Sequence, residues 1–154
     1  MTKNWKILFL LVCFCVLSGC SGLFDPTAVF ITEITLDSAP TTDSEGNVWD
    51  ASGAPDFYYI LFDNNGKELR RGSAKLDMRP SENELKWKLS NPYKVTDFDK
   101  SFIIAIYDED IFDDDFVSTT EEFTMNDYYE EDSFILENDD LTITIGLDWE
   151  YPFE

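Results

Sequence analysis

Residues 102–117 read FIIAIYDEDIFDDDFV, an apolar run followed by six acidic side chains and the start of a second apolar run. Short apolar runs bounded by polar loops are typical of β-strands. Carboxylates at this density stay ionised only if they spread into water or share a cation, and hard oxygen ligands suit calcium. An EF-hand is excluded, because counting from Asp108 puts Asp113 where that motif needs Gly and Thr119 where it needs Glu. The stretch therefore predicts two strands joined by an acidic loop that is either solvated or binds calcium.

A second acidic segment lies upstream, directly before another apolar run. Asp50 and Asp56 stand six residues apart and precede Phe57–Phe62. A continuous run of this kind suits a strand that is covered on both faces. Two such loops at one end of a β-sandwich would converge, which favours a shared cation over two solvated loops.

Together the two loops resemble those of a C2 domain, the calcium-binding β-sandwich common in phospholipid-responsive proteins. The resemblance covers residues 29 to about 149 and rests on three motifs. Residues 107–118 correspond to the third loop of the family. The spacer in this loop is about one residue shorter than in the family, and Ser118 replaces a Gly, so Asp114 and Asp115 both remain candidates for the last ligand. The matching motifs are Pro55-Asp56-Phe57-Tyr58, Tyr107-Asp108-Glu109-Asp110 and Asp115-Phe116-Val117-Ser118.

The resemblance implies a site for about two calcium ions. Apolar residues at the loop tips, Val48, Ile111 and Phe112, would then either enter a membrane or pack against the base of the loops. The implied ligands are the carboxylates of Asp50, Asp56, Asp108, Asp110 and Asp115 and the backbone carbonyls of Trp49 and Glu109.

The remaining pattern predicts an all-β fold, an eight-stranded antiparallel β-sandwich without a long helix. Leu141–Glu150 alternates apolar and polar residues, and Asn65-Gly66 predicts a hairpin. In the first strand the alternation places Phe30, Thr32, Ile34 and Leu36 on one face, and Asn91-Pro92-Tyr93 is expected to end the strand that begins near Leu85. One strand before the first acidic loop and an extra one at the C-terminus indicate the permuted, type II C2 topology.

The N-terminus has the organisation of an export signal. Met1–Lys6 carries two lysines, Ile7–Leu17 is apolar, and Leu17-Ser18-Gly19-Cys20 resembles a bacterial lipobox. We therefore predict a signal peptide over 1–19, a lipid-modified (for example palmitoylated) Cys20 with a short tether over 20–28, and one domain over 29–154. The alternative is a short buried helix. The prediction places the protein in the bacterial cell envelope, attached to a membrane through Cys20, and in the outer membrane of a Gram-negative cell because Ser21 is not Asp.

Composition excludes several functions. A net charge of −21 argues against nucleic-acid binding. The chain has no histidine, and after removal of 1–19 its only cysteine is Cys20, so histidine-assisted hydrolysis, thiol catalysis and a zinc site are not expected. No pair of acids is singled out for glycosidase chemistry. We therefore do not predict an enzyme.

The basic residues are concentrated in one part of the chain. After residue 19 they all lie between Lys67 and Lys100, and residues 101–154 contain none. In C2 domains a basic cluster on the strand after the first hairpin can bind acidic lipid headgroups; the alternative is cross-strand pairing with nearby acids. The corresponding residues here are Lys67, Arg70, Arg71 and Lys75.

The sequence thus predicts a lipid-anchored module that binds phospholipid or an envelope protein through calcium. The first strand should run from the tether to the first acidic loop, so the loops should point away from the anchor. The alternatives are a calcium-independent structural or adhesin-type sandwich, and a carbohydrate-binding sandwich that uses Trp49, Tyr58, Tyr128 or Tyr129 as stacking platforms.

Overall fold

The computed structural model describes residues 25–43, 45–49, 53–77, 85–110 and 114–152. The predicted signal peptide and Cys20 lie outside the described residues. Within the described part, no helix has the length and apolar character needed to cross a membrane. The elements are β1 (Ala28–Ser38), β2 (Phe57–Asp63), β3 (Glu68–Arg71), β4 (Leu85–Val95), β5 (Phe102–Asp108), β6 (Asp115–Thr119), a 3-10 turn (Asn126–Tyr128), β7 (Ser133–Asn138) and β8 (Leu141–Glu150).

The strands form two four-stranded sheets that enclose one apolar core. One sheet has the order β4-β1-β8-β7 and the other β3-β2-β5-β6, and the neighbouring strands pair antiparallel. The predicted all-β sandwich is confirmed. One strand precedes the first acidic loop, and β8 lies between β1 and β7, which is the permuted strand order expected from the sequence.

Strand β2 is buried on both faces, as its continuous apolar run predicts. Tyr59 lies in the core, yet Tyr58 on the opposite face is only 4% exposed. Side chains of the same sheet cover that face: the Tyr58 ring stacks on Tyr107 at 5.4 Å, and Phe116 meets the edge of Tyr107 at 5.7 Å. Cross-strand aromatic pairs of this kind stabilise a sheet face without a second layer.

A β-bulge in β1 corrects one sequence prediction. Val29 and Ile31 face the core before an irregularity between Ile31 and Glu33, and Ile34 and Leu36 face it afterwards. The prediction that one face carries Phe30, Thr32, Ile34 and Leu36 is therefore wrong in its first half. An extra residue in one strand reverses the alternation of the side chains that follow.

Strand β4 is longer than predicted. It continues through Pro92 to Val95, so the prediction that it ends at Asn91-Pro92-Tyr93 is wrong. Its pairing with β1 skips from Lys88 to Tyr93, and Pro92 lies in this unpaired stretch of an edge strand. Proline is tolerated there because no partner strand needs its missing N–H group.

Candidate functional site

Three loops meet at one end of the sandwich. β2 begins and β5 ends there, with Phe57 opposite Asp108, and β6 begins there with Asp115 opposite Asp108. The chain after β3 returns to the same place, because Lys75 bridges to Phe57. We call this region the acidic end, after its carboxylates: Asp56, Asp77, Asp108, Asp110, Asp114 and Asp115.

The first and third loops are in direct contact. The Asp56 N–H donates a hydrogen bond of 2.6 Å to Asp108 Oδ1, and the Glu109 N–H donates one of 3.1 Å to the Asp56 carbonyl. The Asp108 side chain lies at the end of β5 and is 1% exposed. The register of β2 against β5 thus brings Asp56 and Asp108 together, as the convergence of the two loops requires.

The second loop, between β3 and β4, contributes an aspartate that sequence reasoning missed. The Asp77 N–H donates to Asp56 Oδ1 at 2.6 Å, and Asp77 Oδ1 accepts from the Ala54 N–H at 3.2 Å. Gly53 permits this contact, since its φ is +115° and an added Cβ would lie 2.5 Å from Asp77 Oδ1. In the sequence Asp77 is a single acidic residue after Leu76, and nothing in that pattern distinguishes it from other surface acids.

Asp114 and Asp115 take different positions. Asp114 accepts from the Tyr58 hydroxyl at 2.7 Å and from the Asp110 N–H at 3.2 Å, which holds it against the outer face of the sheet. Burial, together with this hydrogen bond to a carboxylate, raises the pKa of Tyr58 to about 12. Asp115 stands directly opposite Asp108 in the register, and such pairs point to the same face of a sheet. Of the two candidates, Asp115 therefore lies on the Asp108 side.

The donor groups at the acidic end are oxygens, which fits a hard cation such as calcium better than zinc or copper. Among the described residues, however, no group of three or more acidic, Cys or His side chains is arranged to hold a metal ion. Asp50, and with it part of the predicted ligand set, lies outside the described residues. Trp49 is partly buried against the core, and its indole N–H donates to the Pro40 carbonyl at 2.8 Å.

Exposed apolar side chains flank the acidic end. Val48 is 64% exposed, as expected for a loop tip, and Leu76 in the second loop is 65% exposed. Leu76 was not predicted, because nothing in the sequence shows that its loop joins the other two. Ile111 and Phe112, the other predicted tip residues, lie outside the described residues.

The predicted basic cluster lies along the open edge between β3 and β4. Arg71 pairs with Glu68 at 2.9 Å and lies 5.1 Å above the Tyr58 ring, and Arg70 donates to the Asn91 carbonyl at 2.8 Å. A groove of about 270 Å³ separates the strands at this edge. We call it the basic groove; Arg70, Arg71, Lys75 and Lys88 line it, with Tyr59 and Trp87. Lys67 is not among its lining residues.

Gly72 shapes the floor of the basic groove. A Cβ at this position would lie 2.5 Å from the Tyr59 ring and 3.0 Å from Trp87. We expect Gly72→Ala to destabilise the protein by about 1 to 3 kcal/mol, because overpacking forces neighbouring rings from their positions. Urea unfolding measures the change. Ser73→Ala is the matched control and should change the free energy of unfolding by less than about 0.5 kcal/mol; an equal effect of both substitutions would contradict the packing argument.

The four aromatic residues considered as carbohydrate platforms do not form one surface. Tyr58 is covered by neighbouring side chains, and Tyr128 stacks on Phe134 with ring centroids 3.7 Å apart. Tyr129 packs against Trp149 at the end opposite the acidic loops. Tyr129 is thus separated from Trp49 and Tyr58 by the length of the sandwich, and Tyr58 and Tyr128 have one ring face covered.

Solved structures share this architecture. One C2 domain superimposes with a TM-score of 0.54 at 13% identity, over 80% of this chain and 97% of that domain. The chain has the C2 fold. A C2 domain of plant extended synaptotagmin 1 superimposes with a TM-score of 0.52 at 12% identity, over 84% of this chain and 98% of that one.

A third solved structure, of which one region superimposes on this chain, is human GIVD cytosolic phospholipase A2 in complex with methyl gamma-linolenyl fluorophosphonate. Its TM-score is 0.56 at 12% identity, and the match covers 85% of this chain. The chain spans only 18% of the length of that phospholipase. No protein-family model and no curated protein sequence matches the chain.

Proposed function

We propose that this chain is a calcium-dependent binding module whose acidic end attaches to a phospholipid surface. The observation that carries the proposal is the contact between the first and third loops, in which the Asp56 N–H reaches Asp108 Oδ1 at 2.6 Å. Two acidic segments 52 residues apart in sequence are thereby held side by side. The C2 fold gives this end of the sandwich its loops.

Calcium is the cation that the donor chemistry supports. Bound calcium would supply positive charge between loops that otherwise repel one another. Backbone amides hold Asp56 and Asp108 in place before any cation arrives, so these carboxylates start from a fixed arrangement. The residues proposed to hold the ions are Asp50, Asp56, Asp108, Asp110 and Asp115, with the carbonyls of Trp49 and Glu109.

The surroundings of the acidic end favour a lipid surface as the partner. Val48 and Leu76 present exposed apolar side chains there, and Lys75 precedes Leu76. At a net charge of −21 the chain should be repelled by anionic headgroups until calcium neutralises the acidic loops. Calcium would therefore decide whether the apolar side chains reach the membrane.

The basic groove offers a second contact for the same surface. Arg71, Lys75 and Lys88 line it, and their cationic groups are the donors that suit a phosphate. We propose that a headgroup phosphate binds there.

The direction of β1 supports a display role for an anchored chain. β1 has eleven residues from Ala28 to Ser38, and the ten steps between them span roughly 33 Å at about 3.3 Å each. An anchor on Cys20 would hold the end opposite the acidic loops. The acidic end would then face a second membrane or an envelope partner rather than the membrane of its own anchor.

Sedimentation with liposomes tests the proposal. We expect the protein to pellet with phosphatidylcholine–phosphatidylserine vesicles in millimolar calcium and to stay in solution with chelator. Leu76→Ser should weaken binding by about tenfold, because burying a leucine contributes roughly 1.5 kcal/mol or more. Ile135→Ser is the control, since Ile135 is also exposed (57%) but lies on β7. Equal loss in both variants, or no pelleting with calcium, would contradict a lipid partner.

A further inference from the structure

A second groove, distinct from the basic one, opens beside the acidic end. It has a volume of about 880 Å³ and lies between the chain that follows β1, the start of β6 and the β7–β8 turn. This volume is within the range of about 300 to 1,000 Å³ that is usual for binding sites. We call it the acidic groove, and the side chains that matter are Trp49, Phe116, Asp43, Asp115, Asp139 and Asp140.

Two aromatic rings give the groove an apolar surface. Trp49 is fixed by its hydrogen bond to the Pro40 carbonyl and by packing on the core. Phe116 lies at the rim of the groove and is 54% exposed; its ring also covers the outer face of the sheet, in contact with Tyr107. Rigid aromatic faces attract lysine and arginine side chains and also pack against apolar ones.

The charge of the groove has one sign. Within the described part of the chain, none of its lining residues is basic and none of its four aspartates forms an ion pair with a lysine or arginine. Hydrogen bonds from the side chain and amide of Asn47 lower the pKa of Asp43, so this carboxyl stays ionised. Asp139 and Asp140 lie together in the β7–β8 turn. The groove therefore combines aromatic surface with four carboxylates that pair with no described lysine or arginine.

We infer that the acidic groove binds a cationic segment of a partner protein, in which lysine or arginine residues are interleaved with apolar ones. Charge complementarity selects this occupant, since a second copy of the chain, at −21, would be repelled. Phospholipid headgroups are neutral or anionic overall, so four carboxylates would not attract them. Several side chains of one extended segment could contact the rings and the carboxylates at once. The inference needs no calcium. The groove shares Asp115 and Trp49 with the residues proposed to hold calcium, so the groove is tested in chelator, where only the cationic segment can bind.

The probe is a fluorescein-labelled decapeptide of alternating arginine and leucine, titrated into the protein in chelator at about 0.15 M salt, where distant charges are screened. We expect saturable binding, seen by fluorescence anisotropy. The double variant Asp139→Asn/Asp140→Asn should weaken it about three- to tenfold, as expected for two partly exposed charge pairs. Asparagine suits position 139, where φ is +43°. Phe116→Ser should weaken binding by about threefold or more.

The matched control is Glu121→Gln/Glu122→Gln, which removes the same charge from two exposed residues outside the groove. It should leave the affinity within about twofold. Equal weakening in both double variants would show general attraction to an acidic chain and would overturn the inference. So would equal binding of a peptide with citrulline in place of arginine, or no binding of the arginine peptide. Self-association that Phe116→Ser abolishes would make the groove an interface between copies, which also contradicts the proposal.

Discussion

Millimolar calcium is expected to raise the thermal unfolding midpoint of this protein by about 10 °C. Extracellular-grade calcium sites have dissociation constants of about 10⁻⁴ to 10⁻³ M. At about 10 mM calcium a site with a dissociation constant of about 10⁻⁴ M is at a hundredfold excess, and a ligand that binds only the folded state then stabilises it by about 2.7 kcal/mol. For a domain of this size, each kcal/mol shifts the midpoint by roughly 3 to 5 °C. Differential scanning fluorimetry with calcium and with chelator measures the shift.

Asp108→Asn separates a specific site from general screening of a highly acidic chain. An amide oxygen can still accept from the Asp56 N–H, so the contact between the loops should survive while the charge is lost. We expect the calcium shift to fall to about 3 °C or less. Asp97→Asn, which removes one exposed carboxylate from the connection between β4 and β5, should keep the full shift. An unchanged shift in Asp108→Asn would argue against calcium at these loops.

Phe102→Ala is expected to cost about 3 to 5 kcal/mol of folding free energy, the usual range for deleting a buried phenylalanine side chain. Phe102 is completely buried at the start of β5. Its ring meets Tyr93 of the opposite sheet edge-on at 6.2 Å and Phe123 at 5.9 Å. The substitution thus removes a contact between the two sheets and leaves a cavity. Denaturant unfolding at pH 7 measures the loss.

Phe116→Ala is the matched control, because it deletes the same atoms from a ring that is 54% exposed. It should cost about 1 kcal/mol, chiefly the edge contact with Tyr107. Similar losses for the two substitutions would mean that Phe102 is not a core residue, and the assignment of the core would be wrong.

Local patterns in the sequence predicted most of the strands, since their signals are contained within a few residues. The alternation in Leu141–Glu150 and the turn at Asn65-Gly66 both correspond to the observed structure, and Gly66 has a φ of +73°. Each depends on side-chain periodicity or on the freedom of glycine, which a single segment reveals. The eight-strand count and the permuted order followed from these segments.

Features that depend on a partner strand were not predictable. The bulge in β1 places Glu33 opposite Gly146, where an added Cβ would lie 3.2 Å from Glu33 Cβ. Nothing near Thr32 in the sequence reports that distant glycine. Pro92 is accommodated in β4 only because the pairing with β1 is interrupted there. Both corrections come from sheet register rather than from local preference.

The acidic end was predictable in part for the same reason. The resemblance pointed to Asp56 and Asp108. The first loop ends where β2 begins and the third loop begins where β5 ends, and these two positions are paired in the sheet. Asp77 and Leu76 belong to a loop without a motif, and they reach the site because the chain after β3 bridges back to Phe57. The acidic groove was missed because its lining comes from three segments that only the closed sandwich brings together.

Ala28 at the start of β1 pairs with Glu150 at the end of β8, so the first and last strands of the sandwich begin and end side by side, at the end opposite the acidic end. The turn at Asp139–Asp140 lies at the acidic end. Joining residues 150 and 28 through a short turn, and opening the backbone between those two aspartates, would keep the strand pairing of both sheets. The N-terminus and the C-terminus of this circular permutant would both lie at the acidic end, beside the acidic groove.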